Sequence, residues 1–133
     1  MGMPLLSRIL FTIVALGMPL GSHLADYSKT HLFNARWPPH AKFHTGQTLI
    51  MSLLLGVMTI FFAWRKTADL TLSVIAASAF AALYWISQGL AILYPGTAAS
   101  DPEFGPPKRI AGQYYFEVVF LALIAFAAWI ALS

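Results

Sequence analysis

Four long apolar runs, parted by stretches that gather most of the polar residues, set out the chain; they cover 4–24, 46–64, 70–94 and 113–132. Crossing the hydrocarbon core of a bilayer takes about 20 mostly apolar residues, and each run has that length. With no water at that depth every run must satisfy its own backbone hydrogen bonds, so each is expected as a helix. The expected fold is therefore all-α: one domain, 1–133, forming an integral membrane four-helix antiparallel bundle.

The polar stretches refine the boundaries. Pro38 and Pro39 suit a first helical turn, where a missing amide hydrogen costs nothing, so the second helix is expected to begin near 38 and the four helices to run about 4–24, 38–64, 70–94 and 113–132. Thr67-Ala68-Asp69 makes a tight turn and Tyr94-Pro95-Gly96 stops the third helix. The stretch 23–42, with Asp26, Lys29, His31, Asn34 and Arg36, is long enough to fold over the bundle mouth rather than hang slack. The stretch 97–112 is irregular and rich in proline and glycine. Gly17 and Gly21 have a spacing that permits close helix contact in membranes. Arg8 ahead of an apolar run also suits a secretory signal, but cleavage after Ala25 would set His23 where a small residue is usual, so retention as a helix is expected.

Alternating helix directions bring both long loops to one side. That side holds all four histidines with Asp26, Asn34, Gln88, Glu103, Gln113 and Glu117, while the other has Arg8, Arg65, Lys66 and Asp69 as its only charged groups. The equipped side carries five Lys or Arg against three, which by the positive-inside tendency makes the functional face cytoplasmic.

Composition narrows the chemistry. At 59% hydrophobic and 10% charged residues the chain is too apolar for an ordinary soluble domain. The absence of cysteine excludes disulfides, thiolate ligands and cysteine nucleophiles. A net charge of +3 without a basic run leaves no case for nucleic acid as a partner. No glycine-rich phosphate loop or Ser-His-Asp arrangement is legible. Phe61, Phe62 and Phe116 are expected to face lipid or to pack.

The candidate residues lie at the equipped end. His40, His44, Gln47 and Met51 share one helix face. Two histidines at i and i+4 can meet one metal ion, though interfacial histidines are also simply wet. His44 lies about a turn deeper, and a neutral imidazole with a free ring nitrogen serves haem iron or zinc. Glu117 is the one carboxylate placed inside an expected span, which makes it a functional hypothesis by default; the alternative is an interfacial acid paired with Tyr114 or Arg109. Tyr84 and Gln88, four apart, can supply neutral donors to a cavity or join helices. Trp37 fits an interfacial anchor.

The run Trp37, Ala41-Lys42-Phe43-His44-Thr45-Gly46, together with Phe104-Gly105-Pro106-Pro107-Lys108 and Gly112 and the end of helix one at His23-Leu24, resembles the membrane-embedded styrene oxide isomerases. Those small four-helix proteins begin helix two with Trp and then Ala-Arg-x-His-Ser-Gly. The resemblance implies haem b on His44, the metal ligand, with Trp37 and Gln47 beside the cofactor, held between the subunits of a homo-oligomer, a trimer in that family. It implies ferric iron acting as a Lewis acid that opens a small lipophilic epoxide to a carbonyl compound. Tyr84, Gln88, Glu117 and His40 are the candidate catalytic residues by their own positions, and Tyr84, Gln88 and Tyr94 all stand as counterparts of the family's helix-three tyrosine. The chain departs from the family at Ile50, where an asparagine is usual, and His40 and Glu117 have no counterpart in the match.

Two other expectations stand beside it. In one, the bundle works without metal like the sterol isomerases, moving a double bond by proton transfer through Glu117, Asp26 and His40. In the other it is a binding or assembly subunit without chemistry.

Overall fold

The computed structural model describes residues 1–105 and 112–133. It holds α1 (Leu5–Asp26), α2 (Pro39–Trp64), α3 (Leu70–Leu90) and α4 (Gly112–Leu132), with one-turn 3-10 helices at Ala91–Leu93 and Pro102–Phe104 and no strand among the described residues. All four helices are long and apolar enough to cross a membrane. The chain is an integral membrane four-helix bundle.

Neighbours in sequence pack as neighbours in space, and α4 closes the ring against α1. Small residues let the backbones approach. A Cβ on Gly56 would stand 2.6 Å from the Ala15 carbonyl oxygen, so α1 and α2 cross in contact there. A Cβ on Gly17 would stand 2.6 Å from the Phe120 ring, which fixes α1 against α4. Gly21 has nothing within 4 Å, so only one member of the expected glycine pair is used for packing.

Buried hydroxyls tie the helices as well. Ser22 and Ser52 hydroxyls lie 2.8 Å apart across α1 and α2, and the Ser7 hydroxyl donates to the Ala127 carbonyl of α4 at 2.8 Å. Between membrane helices such bonds contribute on the order of 1 kcal/mol each. At the plain end the Trp64 indole donates to Thr12 at 2.9 Å, and the Arg8 guanidinium lies 5.5 Å from the Trp64 ring centre. The Asp69 carboxylate caps α3 by accepting from the Leu72 amide at 2.8 Å, the role its type favours at a helix start.

Two boundaries differ from the sequence expectation. Helix α1 continues through Ala25 to Asp26, where Tyr27 N–H still donates to the His23 carbonyl; Asp26 is thus a helix residue rather than a loop residue. Helix α3 ends its α-helical geometry at Leu90 and tightens to a 3-10 turn before Tyr94. Helix α2 starts at Pro39 with Pro38 as its extended cap, as the proline pair predicts. Pro106, Pro107, Lys108 and Arg109 lie outside the described residues.

Candidate functional site

The loop between α1 and α2 is folded by its own short hydrogen bonds. Phe33 N–H donates to the Ser28 carbonyl at 2.9 Å, Asn34 N–H to the His31 carbonyl at 3.0 Å, and the Tyr27 and Phe33 rings meet edge to face. Asn34, only 5% exposed, donates through its amide to Glu103 at 3.0 Å, and Arg36 pairs with the same carboxylate. One acid on the α3–α4 connection therefore pins the α1–α2 loop across the mouth of the bundle.

Beneath this latch lies a cavity of about 980 Å³. Helices α1, α3 and α4 and both loops wall it, and α2 contributes none of its lining. Asp26, Thr30, His31, Tyr84, Gln88 and Gln113 are among its polar side chains. The volume sits at the upper end of the usual range for small-molecule pockets, about 300–1,000 Å³, and suits a lipid-sized molecule.

Asp26 and His31 face each other inside it, with Nε2 of His31 3.6 Å from Asp26 Oδ1. The other ring nitrogen, Nδ1, is 2.9 Å from the Thr30 hydroxyl. The Trp37 ring meets the His31 ring edge to face at 5.3 Å. Asp26 and His31 form an ion pair just beyond hydrogen-bond reach, and the His31–Thr30 link is within it. A carboxylate, an imidazole and a hydroxyl, groups able to bind and release a proton, are thus gathered at one wall. The α1 extension and the loop turns produce this series, because they bring residues 26, 30 and 31 to one wall.

The opposite wall has unused hydrogen-bonding capacity. Trp85 Nε1, Gln88 Oε1 and Glu117 Oε1 are buried without a partner among the described residues. Buried polar atoms are nearly always paired, so a group of three at one helix end calls for an account. Trp85 and Gln88 line the cavity, and the Trp85 ring stacks on Phe120 at 4.4 Å. Glu117 is 7% exposed and stands behind the lining, with Oε2 against Gly89, where a Cβ would be 2.8 Å away. Its expected partner Tyr114 does not bond it, and Arg109 lies outside the described residues.

Leu24 and Phe116, at the mouth ends of α1 and α4, both line the cavity and are 84% and 62% exposed. Gly21 lines it too, and among the described residues nothing stands within 4 Å of where its Cβ would be.

The residues expected around haem are not in one place. Trp37 lies in the cavity wall, whereas His40, His44 and Gln47 sit on the exposed face of α2. His44 Nδ1–H donates to Gln47 Oε1 at 3.1 Å, and the Nε2 atoms of His44 and His40 are 3.1 Å apart. A metal–imidazole bond is about 2 Å long, so a porphyrin on His44 would overlap the His40 ring as it stands. Within one chain this donor set does not fit haem. His40 likewise does not line the chamber that Asp26 lines, and Glu117 stands behind that lining; His31 is the imidazole beside Asp26. No group of three or more His, Asp or Glu able to hold a metal occurs among the described residues.

His31 went unselected in the sequence because it is one polar loop residue among several. Its distance of five from Asp26, at a helix end, is the signal that could have found it.

Fold and cavity together define a small polytopic membrane protein with a chamber at one end. The sequence model of a family of unknown function, DUF6640, matches residues 10–131, and the chain belongs to that family. No curated protein and no solved structure matches the chain.

Proposed function

We propose that the protein is a cofactor-independent isomerase that shifts a double bond within a lipophilic, polycyclic or long-chain substrate by proton transfer. The observation that carries this reading is the Asp26–His31–Thr30 series inside a large chamber with aromatic walls. The pair delivers a proton to one alkene carbon. Positive charge then rests on the neighbouring carbon, against the faces of Tyr84 and Trp85, which attract a cation. A proton leaves the next carbon and returns to the Asp26–His31 pair, so the step is balanced without oxidant or co-reactant. Apolar surroundings keep water from capturing the cation. Gln88 offers an unpaired acceptor oxygen for a hydroxyl on the substrate, with Glu117 behind it. The working face in this reading is the end bearing both long loops, and the Lys and Arg bias of the sequence supports a cytoplasmic side for it.

The test is deuterium uptake from heavy water into a sterol with an isomerisable ring double bond, incubated with the purified protein and read by mass spectrometry. Uptake by the wild type that is lost in Asp26→Asn and in His31→Ala supports the reading. Binding of the sterol without uptake assigns the chain instead to the non-catalytic binding class.

The haem-dependent epoxide isomerase is a second proposal, favoured by one observation: His44 faces outward, where a partner copy can reach it. In the resembling family haem b lies between subunits, and the group there would supply Lewis acidity to an epoxide oxygen. A Soret band lost in His44→Ala supports it, and colourless protein made with ample haem refutes it.

A further inference from the structure

Outside the cavity, the exposed start of α2 carries an arrangement that the proton-transfer reading leaves unused. His40 and His44 present Nε2 atoms 3.1 Å apart. Two nitrogens bound to one ion at about 2.0–2.1 Å, at angles between octahedral and tetrahedral, stand roughly 2.9–3.3 Å from each other. The observed separation is that of a hydrogen bond in which His40 Nε2–H donates to His44 Nε2, and it also falls inside that window. An ion can therefore take the place of the shared hydrogen once the His40 proton moves to Nδ1.

The ring orientations are held from outside the pair. Gln47 Oε1 can only accept, so His44 Nδ1 carries the hydrogen and His44 Nε2 is left with its lone pair. An outer hydrogen bond of this kind sets tautomer and direction at metal-bound histidines. The His40 ring lies parallel to Phe43, with centres 6.1 Å apart. Both histidines are exposed, so no other side chain needs to move for an ion to arrive. The helix supplies the spacing, because residues i and i+4 lie one above the other.

We infer that His40 and His44 chelate one divalent transition-metal ion at the membrane surface, with His44 oriented by Gln47 and the remaining positions held by water. Two imidazoles without thiolate or carboxylate favour ions of the nickel, copper and zinc group over magnesium or calcium. The ion lies apart from the chamber, so the site stands whether or not the isomerase reading does.

The test is calorimetric titration of the full chain, free of any polyhistidine tag, in detergent micelles with Ni²⁺ and with Zn²⁺. One saturable site is expected in the wild type and in His23→Ala/His31→Ala, which removes the other two histidines. His40→Ala and His44→Ala each lose it, and Gln47→Ala binds 10- to 100-fold more weakly. Binding that survives in His40→Ala/His44→Ala, or no saturable binding by the wild type up to millimolar ion, overturns the inference. His40→Ala also separates this site from haem ligation, since it removes the chelate and leaves His44 able to hold iron. Circular dichroism of each variant confirms that its helices are intact.

Discussion

Gly89→Ala is the most informative single change, because it touches the buried carboxyl without altering any functional group. The added methyl would stand 2.8 Å from Glu117 Oε2 and 3.6 Å from its Cδ. Contacts between such atoms settle near 3.5 Å, so the carboxyl must give by roughly 0.7 Å. Alanine gains up to about 1 kcal/mol over glycine in a helix, the full amount in the interior and less at the penultimate residue of α3, and overpacking costs about 1–3 kcal/mol. The atom that is met is the tip of a flexible side chain, so the lower end of that cost applies and the two effects nearly cancel. Net stability should change by less than about 1 kcal/mol, measured by denaturant unfolding in detergent. Deuterium uptake should hold, because Glu117 stands behind the chamber lining and the Asp26–His31 pair is untouched. Adding Glu117→Ala removes the clash, so the double variant should recover the full helical gain, with a coupling of about 0.5–3 kcal/mol between the positions. The reasoning is refuted if Gly89→Ala alone is stabilising by the whole helical gain and the two changes are additive.

Other outcomes follow from the packing and the loops. Gly56→Ala meets a backbone oxygen, which cannot step aside, so α1 and α2 must part; it should lower stability by about 1–3 kcal/mol. Gly21→Ala, with nothing within 4 Å, should not lower it, and a thermal melt that ranks the two the other way contradicts the helix crossing described. Glu103→Gln removes the pair with Arg36, an interaction worth about 0–1 kcal/mol at the surface. Global stability should hold while amides of residues 28–37 exchange faster by hydrogen-exchange mass spectrometry; unchanged exchange would show that Glu103 does not pin the loop.

The fold was legible because the bilayer imposes a length and a composition that apolar runs display directly. Pro38 and Pro39 likewise announced the start of α2, since proline geometry acts locally. The site was legible only in its parts. Glu117 stood out as a carboxylate within a span, but its place behind Gly89 depends on how α3 and α4 are rotated, which no uniformly apolar helix encodes. The spacing of His40 and His44 fixed that they share a face and left open which way that face points; it points outward. Asp26 and His31 meet through a two-residue extension of α1 and a series of turns, and such local hydrogen bonding leaves little trace in polarity patterns. Gly89 carried a readable hint, as a glycine beside Gln88 inside an otherwise apolar helix marks a close approach.

A chamber at the end of four membrane-spanning helices, with exposed Leu24 and Phe116 in its lining, changes what concentration means for a substrate dissolved in the lipid. A molecule that reaches the chamber sideways from the acyl chains is supplied in proportion to its mole fraction in the membrane, with its aqueous level entering only through partitioning. Saturation should then follow the ratio of substrate to lipid, and diluting the bilayer with inert lipid should slow turnover even when the total amounts of protein and substrate are unchanged. The bilayer is thus both the solvent for the helices and the reservoir that doses the site.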